Sequence, residues 1–295
     1  QLLTGAGLQE VVTMSLVGAD SNDKKRVALA NPLMAETSHL RTNLWQEHLR
    51  ICQRNLKASQ PGCWIYEIGY IYTKQESGVK EYPVLSGVIC GERRLERWST
   101  NGKESTLDYH QARGRLTQVF DGLRLNIKDR ATSENIILHP GRSAELILEG
   151  KPIGHFGQLH PAELDKLELP ESTYVFEFSL DNIKNSATRS SNWITTYKEY
   201  PTVPSIERDL AAIVNKECTC GDLVQAIRKA GKPLLESVEL IDRFEGAPLE
   251  ANKCSQAFRI RYRDKSKTLS DDEVIPIHEK VREALVREFS AKLRS

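Results

Sequence analysis

Between Ile206 and Arg294 the spacing of apolar residues switches repeatedly between the two-residue period of a strand and the longer period of a helix. It predicts strand Ile206–Val214, helix Cys220–Ala230, strands Glu236–Phe244 and Ser255–Arg263, helix Asp271–Glu288, and a short strand Ala291–Arg294. Turn and cap chemistry agrees with these boundaries. Gly246-Ala-Pro248 to Lys253 supplies a hairpin between the two middle strands, Thr219 stands where an N-cap belongs, and Ser270 with Glu273 makes a capping box. The order β-α-β-β-α-β over about ninety residues predicts a ferredoxin-like sandwich, with both helices on one sheet face.

Upstream the pattern is looser. Leu8–Val17 and Arg26–Ala30 read as extended, the second stopped by Asn31-Pro32. Leu40, Leu44, Leu49, Cys52 and Leu56 then recur at helical intervals as far as Gly62, with Thr42 or Ser38 as the cap. Strands are expected at Cys63–Thr73, Pro83–Gly91, Glu145–Leu148 and Tyr174–Ser179, and a helix at Gln111–Leu123. Strands in the majority with a few helices packed on them predict an α+β domain on a mainly antiparallel sheet. The polar, Ser- and Asn-rich stretch Asn182–Asn192 has no apolar periodicity and marks a boundary. The expected organisation is a domain over 1–185, a linker over 186–199 and a second domain over 200–295.

Composition excludes several classes. Lys and Arg number 41 against 40 Asp and Glu, so whole-chain charge favours neither nucleic acid nor membrane, and any such surface must be local. No apolar run approaches the roughly 18 residues of a membrane span, and a soluble chain is expected. Six cysteines are scattered without a disulfide spacing, which suits a reducing, cytoplasmic compartment. The chain opens at Gln1 in sequence that already reads as folded, so a piece of a longer polypeptide is expected. The nucleophile elbow, the Walker loop, the dinucleotide glycine fingerprint and the paired-histidine zinc motif are absent. Cys218-Thr-Cys220 has poor zinc spacing, and His139 and His160 precede prolines in contexts that turn geometry explains. No catalytic or metal-ligating residue is assigned.

The strand Ser255–Arg263 carries the clearest local signal. Alternation sends Phe258, Ile260 and Tyr262 to one face and Arg259, Arg261 and Arg263 to the other. From Lys253 to Lys267 there are six basic residues and one acidic, Asp264. On the open face of a ferredoxin-like sheet such a ladder suits phosphates. The alternative is a solvated face whose arginines pair with Glu239 or Asp209 on neighbouring strands.

Several segments, in this order, resemble the C-terminal portion of the bacterial-type phenylalanyl-tRNA synthetase beta subunits. They are Asn31-Pro-Leu33, Leu40-Arg-Thr42 with Leu44, and Tyr66-Glu-Ile-Gly69, followed by His139-Pro-Gly-Arg-Ser-Ala144 and Ile153-Gly154 with Gly157-Gln-Leu-His-Pro161. Tyr200-Pro201, Arg208-Asp-Leu210 and Thr268-Leu-Ser-Asp-Asp-Glu273 complete the set. The resemblance implies a class II synthetase-like first domain that is a degenerate, non-catalytic copy serving assembly, and a ferredoxin-fold anticodon-binding second domain. It also implies an alpha subunit that holds the aminoacylation site, phenylalanine tRNA as a partner, and an α2β2 enzyme. ATP and magnesium belong to that complete synthetase, with no cofactor in this chain. Ile65 is set against the arginine that holds the ATP phosphate in a working site, two positions before Glu67.

The expected RNA-binding residues are Arg243, Arg259, Arg261, Arg263, Lys265 and Lys267, with Phe244 or Tyr262 as a stacking platform. A stand-alone interaction module on the same scaffold is the rival reading, and amino-acid activation by the first domain a weaker third.

Overall fold

The computed structural model describes residues 1–92, 107–197 and 199–294. The chain divides into two compact units, Gln1–Thr196 and Tyr197–Ser295.

In the first unit, α1 (Leu2–Gly5) leads to β1 (Gln9–Glu10), and β2 (Leu16–Val17), β3 (Val27–Ala28) and β4 (His39–Leu40) form a small sheet in the order β2-β4-β3. After α2 (Trp45–Lys57) comes a hairpin of two fourteen-residue strands, β5 (Gly62–Gln75) and β6 (Gly78–Gly91), paired from end to end. Then follow α3 (Tyr109–Gly122), β7 (Ile127–Ala131), β8 (Leu138–Leu148), β9 (Lys151–Leu159), α4 (Pro161–Leu167), β10 (Thr173–Ser179), α5 (Leu180–Ala187) and the single turn α6 (Ser190–Trp193). The main sheet has the order β1-β5-β6-β10-β9-β8-β7 and is antiparallel except between β1 and β5.

Strand alternation divides this sheet into two cores. Trp64, Tyr66, Leu85, Phe156 and Phe176 pack with Leu3, Leu116, Phe120 and Ile183 from α1, α3 and α5. On the other side Ile65, Val88, Cys90 and Val175 meet Leu49, Cys52 and Leu164 from α2 and α4. Ile65 is 3% exposed in this second core. The position set against a phosphate-holding arginine is therefore shut away among apolar side chains.

Other expectations also change. Neither Thr42 nor Ser38 caps α2: its N-cap is Leu44, Thr42 donates to Asp23, and Ser38 donates to Ala35 O at 2.7 Å. α3 is capped by Asp108 with Gln111, a box the sequence already spells. His139-Pro140, read as a turn, lies within β8, where the pairing with β9 is irregular between Leu138 and Ser143 and a proline removes no regular ladder bond. In the stretch expected as a linker, Arg124 Nη1 donates to Asn192 O at 3.0 Å and Ile194 O at 3.1 Å, fastening that stretch to the first unit.

One polar row crosses the main sheet at successive cross-strand positions: Glu67, Ser86, Glu177 and His155. Glu67, 2% exposed, is the centre of a closed cluster. Arg41 Nη1 lies 3.0 Å from Glu67 Oε1, while Oε2 accepts from Thr13 Oγ1 at 2.6 Å and Thr13 N at 3.1 Å and sits 3.2 Å from His48 Nε2. Burial pushes this carboxyl up, but the hydrogen bonds of His48 and Thr13 and the Arg41 charge outweigh it and hold the group below its ordinary value. Glu177 is the opposite case. Its Oε2 accepts from Leu44 N at 3.1 Å, yet burial dominates and pushes it up to about 7. Beside it, Gly154 at φ +147° lets β9 approach closely, since a Cβ there would lie 2.0 Å from Glu177 O.

The second unit runs β11 (Ile206–Asn215), α7 (Cys220–Ala230), β12 (Leu235–Glu245), β13 (Lys253–Tyr262), α8 (Asp271–Phe289) and β14 (Lys292–Arg294). Its antiparallel sheet has the order β12-β13-β11-β14, and it is the expected ferredoxin-like sandwich. Leu210, Phe258, Ile260 and Tyr262 face Leu223, Ile227, Val281 and Leu285 of the two helices. Thr219 caps α7, and Ser270 with Glu273 boxes the start of α8.

Two stability measurements test the polar row; the sequence has no tryptophan after Trp193, and the described Trp45, Trp64 and Trp193 lie in the first unit, so tryptophan fluorescence reports its unfolding. Glu67→Gln leaves the Arg41 guanidinium buried without its counter-charge and is expected to cost about 3 kcal/mol or more in urea unfolding. A loss under about 1 kcal/mol would mean the cluster is not coupled to folding. For Glu177 the folded state holds the proton more tightly than the unfolded chain, so its contribution is present at low pH and is lost as pH rises from about 4.5 through about 7. Glu177→Gln should therefore match the wild type near pH 4 and exceed it by about 3 kcal/mol at pH 8. Equal pH dependence in the two proteins would contradict the raised value.

Candidate nucleic-acid interface

The open face of the second sheet is set by the odd-numbered residues of β11 and β13, because the even ones enter the core under α7 and α8. Register places Glu207 opposite Arg261 and Asp209 opposite Arg259, with Glu239 of β12 opposite Arg259 on its other side. Each arginine therefore meets acids. Arg259 Nε and Nη2 donate to the two Asp209 oxygens at 3.0 and 2.9 Å, a forked pair. Arg261 Nε and Nη2 both donate to Glu207 Oε1, at 2.9 and 2.5 Å. Arg263, just beyond the end of β13, donates to Glu236 Oε1 at 2.9 Å and to the carbonyl of Val203, and its side chain is only 19% exposed.

Electrostatics agree with the geometry. The hydrogen bonds and charge of Arg259 hold the Asp209 carboxyl below the usual range, and Asp209 and Glu207 in turn raise Arg259 and Arg261. The surplus of positive charge read along Lys253–Lys267 is thus met by Glu207 and Asp209 of β11 and by Glu236 and Glu239 of β12. The pairing foreseen as the alternative is realised for Asp209, and Glu207 and Glu236 are partners that sequence reasoning missed. Ile206-Glu-Arg-Asp-Leu210 does alternate, so the signal for two acids on one face was present, but not the strand it would pair with.

The other expected cations are scattered. Arg243 lies 2.7 Å from Glu245, Lys267 pairs with Glu273, and Lys265 is exposed with no ion-pair partner among the described residues. The two stacking candidates separate completely. Tyr262 is fully buried, with its hydroxyl 3.0 Å from His278 Nδ1 and its pKa pushed up to about 12 by burial. Phe244 is 44% exposed on the open face, opposite Ser255, with Ala257 and Ala211 next along the same surface. An exposed ring on the open face is the kind of side chain on which a nucleobase can stack.

Among the described residues no helix is long and apolar enough to cross a membrane. Residues 1–180 match the family described as phenylalanyl tRNA synthetase beta chain CLM domain, and residues 201–294 match the ferredoxin-fold anticodon binding domain. The chain is similar over its whole length to the phenylalanine–tRNA ligase beta subunits of Prochlorococcus marinus strain MIT 9313, at 65% identity, and of Parasynechococcus marenigrum strain WH8102, at 58%. It spans 36% of the length of each of these relatives. A pyrrolysyl tRNA synthetase from Desulfitobacterium hafniense superposes over 62% of both chains at 14% identity with a TM-score of 0.44, too distant to bear on function. With a family match over the whole sheet of the first unit and a second match over the sandwich, the chain belongs to the phenylalanyl-tRNA synthetase beta chain family.

Proposed function

We propose that this chain acts as part of a phenylalanine–tRNA ligase beta subunit in the cytoplasm, joining subunits through its first unit and contacting the anticodon region of phenylalanine tRNA through its second. What carries the reading is the succession of the two family matches, over 1–180 and 201–294, in one continuous alignment with ligase beta subunits. The chemistry of amino-acid attachment falls to the alpha subunit. ATP and magnesium serve the complete enzyme, and among the described residues of this chain no cluster of three or more His, Cys, Asp or Glu side chains is arranged to hold a metal ion.

The tRNA-contacting residues in this reading are Arg243, Arg259, Arg261, Arg263, Lys265 and Lys267, with Phe244 as the stacking ring. Exposed ion pairs contribute only about 0–1 kcal/mol each, so a phosphate can replace a carboxylate on Arg259 or Arg261 at little cost to the fold. Changing Arg259, Arg261 and Arg263 together to Gln is expected to weaken tRNA binding at least about tenfold and to flatten its salt dependence. Glu207→Gln with Asp209→Asn frees two arginines and should tighten binding. Phe244→Ala should weaken it by roughly fivefold or more. If both the arginine and the acid variants bind as the wild type does in filter titrations at two salt concentrations, the face is wrongly assigned.

For subunit contact, the first unit offers an apolar surface. Thr13 points inward to Glu67, so alternation turns Val12 and Met14 to the side of Ile68 and Tyr70. These four side chains are 90%, 64%, 50% and 50% exposed, a patch of the kind that marks interfaces. Val12→Asp combined with Ile68→Asp is expected to cut recovery of the alpha subunit in co-purification at least about tenfold while leaving the chain folded. Undiminished recovery would move the interface elsewhere, and recovery of an unrelated protein in its place would favour the interaction-module reading.

A further inference from the structure

We propose that the connection between the two units is a short tether pinned at both ends by arginines, Arg124 in the first unit and Arg263 in the second, and that Arg124 is thereby a positioning residue for the contact of the second unit with tRNA. From the elements alone the tether is long, since α5 ends at Ala187 and β11 begins at Ile206. Side-chain bonds shorten it. Arg189 Nη1 donates to Glu149 Oε1 at 2.7 Å, in the turn between β8 and β9, and Asn192 Nδ2 donates to Ser186 O at 3.0 Å. Arg124 closes the series: its Nη1 donates to Asn192 O at 3.0 Å and Ile194 O at 3.1 Å, and its Nη2 to the Thr195 hydroxyl at 2.6 Å. At the other end Arg263 donates to the carbonyl of Val203. Each of these bonds lies within one unit.

Arg124 stands where glycine is the usual residue. It directly follows Leu123, the C-cap of α3, and its φ of +55° is the left-handed conformation in which helices commonly end. A side chain there costs about 1 kcal/mol or more in backbone strain, and the three bonds from the guanidinium are what that side chain supplies. They matter through length. From Thr195 to Val203 is eight steps along the chain, which fully extended backbone covers in about 28 Å. Without the pins of the first unit the tether runs from Ala187 to Val203, sixteen steps and about 56 Å. When the first unit is anchored in the ligase, the second meets the anticodon region of the same tRNA at an effective concentration that falls roughly as the −3/2 power of tether length. Doubling the tether therefore weakens that contact about threefold. This consequence rests on the tRNA reading, whereas the pinning itself does not.

The test uses the full chain carrying Arg124→Gly with Arg189→Gln. Glycine takes φ +55° without strain, and the Arg189–Glu149 pair is exposed, so the first unit stays folded. Small-angle scattering is expected to show a maximum dimension larger by at least about 10 Å. Amide order parameters over residues 190–195 should fall from about 0.8 to below about 0.6, with those of α3 and β8 unchanged. In the assembled ligase the same variant should bind phenylalanine tRNA about threefold more weakly. So should a chain that keeps both arginines but carries about eight Gly and Ser residues inserted between Thr196 and Tyr197, which lengthens the tether with its pins intact. An unchanged dimension or unchanged order parameters in the folded double variant overturn the pinning. A larger dimension with undiminished tRNA affinity in both lengthened proteins overturns the positioning role, if changing the three arginines of the open face still weakens binding. If that triple variant also binds as the wild type does, the tRNA reading fails and the positioning role fails with it.

Discussion

A carboxylate sealed at 2% exposure has to be neutralised by groups placed around it, and the placing of those groups around Glu67 organises one edge of the first unit. Arg41 comes from the segment after β4, His48 from α2, and Thr13 from the chain beside β5. Each would otherwise be free to slide along the sheet. Arg41 also donates from Nε to Tyr70 O at 2.9 Å and from Nη1 to Thr13 O at 3.1 Å, so one guanidinium ties the N-terminal segment to β5. A few bonds from one buried ion pair thereby set the register of three segments, and apolar packing beneath α2 then has a defined geometry to fill. The same row continues to Glu177, whose carboxyl meets the amide of Leu44 at the start of α2, where no side-chain cap is present. Two carboxyls on one row of one sheet thus behave oppositely, because Glu67 is ringed by donors and a cation whereas at Glu177 desolvation prevails.

The second unit applies opposite charges at its surface. Its arginine ladder looks cationic along β13 alone, and is close to balanced once β11 and β12 are laid beside it. Balance changes what the face can do. A bare ladder would draw any polyanion, whereas arginines already forked onto carboxylates exchange partners only for a ligand that presents its phosphates at the right spacing. In the proposed tRNA reading, specificity then rests more on shape and on the exposed Phe244, opposite Ser255, than on net charge. Pairing also gives the strand a fixed set of guanidinium positions before any partner arrives, which lowers the cost of ordering them.

The sandwich of the second unit was legible from sequence nearly residue by residue, because its strands and helices are bounded by local signals: Thr219, the Ser270–Glu273 box, and the hairpin Gly246–Lys253. In the first unit β8 and β9 were largely missed. A proline and an irregular register interrupt β8, and Gly154 and Gly157 dilute the alternation of β9. Alternation already set Tyr262 on the face opposite the arginines, whereas the face of Phe244 was settled only by the pairing of β12 with β13. The six cations were all visible, but their availability was not.

By itself the sequence determined what short-range physics determines: the period of each element, its caps, the alternation of Arg259 and Arg261 with Phe258 and Ile260, and the family motifs strung between them. Tertiary structure alone decided which acid meets which arginine, that Ile65 is walled in by α2, and that Thr13, Arg41, His48 and Glu67 converge. The reason is distance along the chain. Asp209 and Arg259 are 50 residues apart, Thr13 and Glu67 are 54, and Leu44 and Glu177 are 133. Residues so far apart in the chain leave no trace in local periodicity, and their meeting is fixed only when the sheet order brings the strands together.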